Sequence, residues 1–186
     1  MGMLRRFLNA PMVAFSLGLA LAGPAAADSD RVGELLDELQ QPDLPNWKQV
    51  EDAIWTEWSK SGSPSMDLLL KRGRDALEAG DAETAIAHLT ALTDHAPDFA
   101  EGYNVRAIAY FKAGLYGPAI ADLMHTLELN PRHFGAMTGL GTIFEETKRY
   151  DAALAAFKAA RAIQPHDPDL EEAVTRLEIL TSGRTL

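Results

Sequence analysis

The chain has 186 residues, a formal net charge of −10 and no cysteine. Without thiols it has no disulfide, no thiolate metal site and no cysteine for a lipid anchor, so a hydrophobic core must hold it, and the length suffices for one. An acidic surface repels nucleic acid and anionic lipid, and favours solubility or a basic partner.

The first stretch carries Arg5 and Arg6, then an apolar run from Met12 to Ala22, then Ala25, Ala26 and Ala27 ahead of Asp28. That is the three-part pattern of a secretory signal peptide. The run has 11 residues, against about 20 for a spanning helix; an uncleaved anchor is the alternative. Residues 1–27 are therefore expected to be a signal peptide cleaved after Ala27. The 159 residues left carry a charge near −12, since Arg5 and Arg6 are lost with it. The product is expected to be exported, periplasmic or secreted, with no membrane insertion after cleavage.

Residues 28–65 read as a helix pair. Val32, Leu35, Leu36 and Leu39 have helical spacing. After the loop QPDLPN, Trp47, Val50, Ile54 and Trp58 share one face with Trp55 beside them, and Asn46 and Gln49 have capping-box spacing. The pair has repeat-like length without a repeat signature, so it is a degenerate unit or a cap. All three tryptophans lie here. They form either an aromatic partner site or a face packed on the first repeat, and helical spacing favours packing.

Three prolines, Pro97, Pro131 and Pro165, then recur at intervals of 34 residues. In the same phase run Ala85, Ala119 and Ala153; Gly73, Ala107 and Gly141; Leu89, Leu123 and Phe157; and Ile86, Ile120 and Leu154. Each unit reads as two helices. In the second, Tyr103, Ala107 and Tyr110 mark the first helix and Gly114 ends it. Pro118 fits the first turn of the next, Ala119, Ile120, Leu123 and Leu127 form its stripe, and Asn130-Pro131 stops it. The units are 66–99, 100–133 and 134–167. This pattern resembles the tetratricopeptide repeat, a 34-residue pair of antiparallel helices. The first unit departs from the family with Ala82 and Leu92, and Arg72 and Arg106 stand where the family has leucine. Where helices cross closely, only glycine or alanine fits, which accounts for the small residues in phase.

Residues 168–186 follow as a capping helix and tail. Asp167 is the expected N-cap, Pro168 the first helical residue, and Leu170, Val174, Leu177 and Leu180 the apolar stripe. The fold class is thus all-α: a right-handed superhelical solenoid of antiparallel helix pairs with flanking capping helices.

Chemistry is sparse. The five histidines, His88, His95, His125, His133 and His166, form no pair four residues apart, so no metal site and no cofactor are expected. Glu145-Glu146 and Glu171-Glu172 are adjacent and point to different sides of their helices. The glycines of NPRHFGAMTGLG look like a phosphate loop, but no Gly-x-x-x-x-Gly-Lys-Ser/Thr run exists and Gly141 falls in repeat phase. Catalysis is not expected.

The resemblance instead implies a concave groove, lined by the first helix of each unit, that holds a peptide or helix of a partner. By repeat position its lining is Asp67, Leu70, Arg74, Leu77 and Glu78; then Glu101, Asn104, Ile108, Phe111 and Lys112; then Gly135, Thr138, Thr142, Glu145 and Glu146. Arg74 and Asn104 loosely match the carboxylate clamp of some members, but Thr138 and Thr142 replace its basic groups, so a clamp is not expected. The groove reads as apolar in the middle and acidic toward the third repeat, which suits an amphipathic or basic segment. At Gly135 the missing side chain would let a partner backbone approach. The expected function is a non-catalytic scaffold or adaptor of the bacterial envelope. The alternatives are a regulatory subunit of an envelope enzyme, or such an enzyme itself, and a self-associating module.

Overall fold

The computed structural model describes the backbone of residues 24–182, with side chains from Arg31 onward. Among the described residues the secondary structure is nine helices: α1 (Pro24–Leu39), α2 (Trp47–Trp58), α3 (Pro64–Glu78), α4 (Ala82–His95), α5 (Ala100–Lys112), α6 (Tyr116–Leu129), α7 (Phe134–Glu146), α8 (Tyr150–Ile163) and α9 (Pro168–Ser182). The leader expected at 1–27 lies largely outside the described residues, and α1 runs across the expected cleavage point.

Helices α3 to α8 form three antiparallel pairs in series, with α9 packed on α8. The turn inside each pair repeats one geometry. Gly80, Gly114 and Lys148, spaced by 34, have φ of 77°, 74° and 59°. At each, the following amide reaches back across the helix end: Asp81 N to Ala76 O, Leu115 N to Tyr110 O and Arg149 N to Phe144 O, at 2.7–2.8 Å. A left-handed residue is what this C-terminal closure requires. Glycine supplies it twice, and Lys148 adopts it at a steric cost.

The in-phase small residues sit where helices of one pair meet. A Cβ on Gly73 would lie 2.5 Å from Leu89 Cγ, and one on Gly141 would lie 2.8 Å from Phe157 Cε1. Close approach therefore explains both glycines. Arg106, a departure from the family's leucine, is explained by its partners. Its guanidinium pairs with both oxygens of Asp122 on α6 at 2.7 and 2.8 Å, donates to Thr93 Oγ1 on α4 at 2.6 Å, and lies over the Tyr103 and Tyr110 rings. A planar five-donor group thus ties three helices where leucine would only fill space.

The N-terminal hairpin corrects one expectation. Its tryptophans do not pack on the first repeat. The core of that repeat (Leu70, Ala76, Ala85, Leu89, Leu92) contains no hairpin residue, whereas Ile54 and Trp58 join a cluster with Phe134 at the start of α7. Asn46 also makes no side-chain cap bond to α2. Asp167 behaves as expected, its Oδ1 accepting from Asp169 N at 2.9 Å at the start of α9.

Candidate functional site

The first helices of successive pairs, α3, α5 and α7, touch one another and line one face. Between α5 and α7 that face opens into an apolar cleft of about 230 Å³. Asn104, Ile108, Phe111 and Lys112 line it from α5, and Gly135, Gly139, Thr142 and Ile143 from α7, with Leu123 beneath. Ile108 is 42% exposed, and a Cβ on Gly139 would press on Leu123 at 3.1 Å, so close approach to α6 explains that glycine.

Six of the fifteen residues expected to line the groove meet in this cleft: Asn104, Ile108, Phe111, Lys112, Gly135 and Thr142. Thr138, Thr142 and Glu145 line a neighbouring, more polar depression between α7 and α9, with Asp167, Asp169, Glu172 and Arg176. The rest are deployed differently. Leu70 is buried in the first repeat and Leu77 packs against the same core. Asp67 accepts from Ser61 N and Oγ at 2.8 and 2.6 Å, holding the turn before α3. Glu145 is bound by Arg176 of α9 through both oxygens at 2.9 Å. Glu78 and Glu146 are exposed. The acidic character expected toward the third repeat is therefore partly neutralised by Arg176, because α9 lies closer to α7 than repeat position alone reveals.

Glu101 departs furthest from a groove-lining role. It is 2% exposed and serves as an internal acceptor. Arg74 of α3 ion-pairs with its Oε1, Asn104 Nδ2 donates to its Oε2 at 3.0 Å, and His133 Nε2 faces the same oxygen at 3.1 Å. His133 is itself fully buried, and its Nδ1 accepts from Ala136 N at 3.1 Å as the cap of α7. Those two bonds place the ring proton on Nε2. The groups that loosely matched a carboxylate clamp thus already hold a carboxylate of the same chain.

Along this edge of the groove lies the α1–α2 hairpin. Trp58 stacks on His133 with ring centroids 4.2 Å apart, and Trp55 meets Phe134 edge-on at 5.2 Å. Any Cβ on Gly135 would overlap Trp55 Cη2. The gap at Gly135, expected to admit a partner backbone, is therefore filled by Trp55. Farther along, Asp37 accepts from Arg132 at 2.7 Å and Trp47 stacks on His166, whose Nε2 faces Gln41 O at 2.9 Å. Ser59 Oγ accepts from Arg74 at 3.0 Å. The hairpin thus follows the inter-repeat loops and covers the starts of α5 and α7. Glu51 of α2 is half-buried beside Gln164 and Asp167, and burial, reinforced by Asp167, pushes its carboxyl above the ordinary range. Among the described residues, no group of three His, Cys, Asp or Glu side chains is placed to hold a metal, and no helix is long and apolar enough to cross a membrane.

A profile of the tetratricopeptide repeat family matches residues 70–124 and 119–168. The chain belongs to the tetratricopeptide repeat family. A TPR repeat-containing protein of Rhizobium etli is 30% identical over 163 residues, covering 87% of this chain and 80% of that protein. Protein SGT1 homolog of Bos taurus is 32% identical over 115 residues, 62% of this chain; the aligned part is 34% of that longer protein. Among solved structures, the TPR2B domain of yeast Sti1 in its pHsp70 complex matches with a TM-score of 0.60 at 23% identity, covering 63% of this chain and 99% of that one. The α3–α8 solenoid is the tetratricopeptide part, and the α1–α2 hairpin precedes the region that the family profile matches.

Sequence reasoning missed the hairpin's position, the internal role of Glu101 and the Arg176–Glu145 pair. Only Gly135 carried a signal: a glycine in a helix start, out of repeat phase, asks for something bulky nearby.

Proposed function

We propose that this protein is a non-catalytic interaction scaffold that holds a segment of a partner protein in the cleft between α5 and α7. The observation that carries the reading is the exposed Ile108 beside Phe111 over a glycine floor, an apolar opening on the face formed by α3, α5 and α7. Such a cleft suits one aliphatic or aromatic anchor of a peptide, with Thr142 Oγ1 left to accept from its backbone. The depression beyond it holds Asp167, Asp169 and Glu172 as well as Arg176, so a basic residue after the anchor finds acidic neighbours. The yeast Sti1 domain of similar fold was solved in complex with pHsp70, which supports partner holding as a use of this fold. With Glu101 occupying Arg74, Asn104 and His133, a partner's terminal carboxylate finds no free clamp here. The N-terminal sequence pattern supports export, and the setting we propose is the bacterial envelope.

The test is selection of peptides from a random displayed library on the immobilised full-length chain. Wild type should enrich sequences with an apolar anchor followed by a basic residue. Ile108→Glu should abolish that enrichment, and Met124→Glu, on the exposed face of α6, should not. Equal enrichment by all three proteins refutes the cleft as the site.

A further inference from the structure

We infer that the α1–α2 hairpin is a displaceable, built-in occupant of the groove's edge, seated on the starts of α5 and α7 as a partner helix would be. This rests on the reading of the α3–α5–α7 face as the binding face.

Three observations carry it. The first is the fit. Trp55 fills the space left by Gly135, and Trp58 lies flat on His133 above the Glu101 cluster, so two rings one turn apart anchor a helix across two repeats. The second is independence. The cores of the first repeat (Leu70, Leu89, Leu92) and of the second (Ala107, Leu123, Leu140) include no hairpin residue. The hairpin residues Leu36, Leu39, Leu44, Val50 and Ile54 instead share one cluster with Phe134 and Phe157 of the third repeat and Leu170, Val174 and Leu177 of α9. The hairpin is joined to α3 by the loop after α2, where Gly62 has φ of 77° and Ser59 accepts from Arg74. Leaving the groove would expose part of the third repeat and α9 but open neither of those two repeat cores.

The third is imperfect satisfaction at the seat. Trp58 is 9% exposed, yet its Nε1 has no hydrogen-bond partner. Next to Asp167, Glu51 keeps a carboxyl that burial disfavours in its charged form, and hydrogen bonds from the Trp55 and Gln164 side chains only partly offset this. Polar groups buried without partners lose hydration and gain nothing in return. The polar links across the seat, Arg132 to Asp37 and His166 to Gln41, lie at partly exposed positions where water competes. A segment held this way opens at lower free energy than the repeats around it. A partner that replaces it must offer the same chemistry: an amphipathic helix with two aromatic rings at i and i+3.

Hydrogen exchange on the full-length chain reads this directly. The α1 and α2 amides should exchange together, at least about tenfold faster than those of α5 and α7. Gly135→Ala, which crowds Trp55, should speed the hairpin further and leave α3 to α6 unchanged. A labelled synthetic peptide of residues 46–60 should then bind the full-length Trp55→Ala/Trp58→Ala variant, whose seat is vacated, and not wild type. Uniform exchange of the hairpin and repeats in both wild type and Gly135→Ala overturns the inference. So does failure of the peptide to bind a double variant that keeps its repeat protection. Loss of protection throughout the repeats in the double variant overturns it as well, because the hairpin would then be part of their core. Failure of the Ile108 library test leaves these outcomes unchanged, so the two readings fail separately.

Discussion

Gly73→Ala should destabilise the protein although the second repeat carries alanine, Ala107, at the same phase. A methyl on Gly73 would lie 2.5 Å from Leu89 Cγ, 2.6 Å from Cδ2 and 3.0 Å from Cδ1. Ordinary contact begins near 3.4 Å, so the branch point of Leu89 must retreat by about 0.9 Å. Leu89 is fully buried among Leu70, Ala85 and Leu92, and a branch point cannot swing aside as a chain tip can. Overpacking of this kind costs about 1–3 kcal/mol. Alanine returns about 1 kcal/mol of helix propensity over glycine. A clash this deep at a buried branch point belongs to the upper part of the overpacking range, about 2–3 kcal/mol, so the net loss is about 1–2 kcal/mol, or a Tm lower by about 2–8 °C in a chain of this size. Thermal unfolding followed by circular dichroism, with the reverse change Ala107→Gly measured alongside, checks it. Ala107→Gly should lose at least about 1 kcal/mol, through helix propensity and the loss of a buried methyl. A Tm for Gly73→Ala equal to or above wild type would mean that the small residues are interchangeable and that close approach does not select them.

Four further outcomes follow from the same geometry. Lys148→Gly should raise the Tm, since Lys148 holds a left-handed φ of 59°, and Gly114→Ala should lower it by about 1 kcal/mol in stability; chemical denaturation reads both. Asp122→Ala should cost about 3 kcal/mol, because Arg106 would remain largely buried without its carboxylate, and urea unfolding measures it. Glu51→Gln should raise the Tm at neutral pH. Its folded carboxyl is raised, so the native state binds the extra proton and stability falls as pH climbs above the ordinary value of 4.5; the advantage of the variant should vanish below it. Asp81 has the opposite sign. Hydrogen bonds from the Thr84 hydroxyl and amide lower its carboxyl, so its contribution is present above 3.8 and fades as pH falls through the lowered folded value. Asp81→Ala should therefore lower the Tm at neutral pH and have little effect in strong acid.

The repeats were legible because their constraints are local. Gly73, Gly141, Ala119 and the three prolines mark crossings and stops that each unit must make, and a period of 34 exposes them. Six of the expected groove residues meet in one cleft for the same reason: repeat phase fixes which face of α5 and α7 they occupy. The hairpin was not legible. Its contacts join residues as distant as Asp37 and Arg132, or Gln41 and His166, and nothing in α2 states which repeat it meets. Glu101 reads as a surface acid in a first helical turn, and only the arrival of Arg74 and His133 from other elements makes it an internal anchor. Lys148 shows no sequence sign of its left-handed backbone, since glycine marks that position in the other two copies.

The proposed function stands or falls with the cleft between α5 and α7 as the place where a partner is held. Titration calorimetry with the best peptide selected on wild type tests it most directly. Ile108→Glu and Phe111→Ala should each weaken binding at least about tenfold, or about 1.4 kcal/mol, with Met124→Glu unchanged. Affinities that are the same for Ile108→Glu, Phe111→Ala and wild type would contradict it.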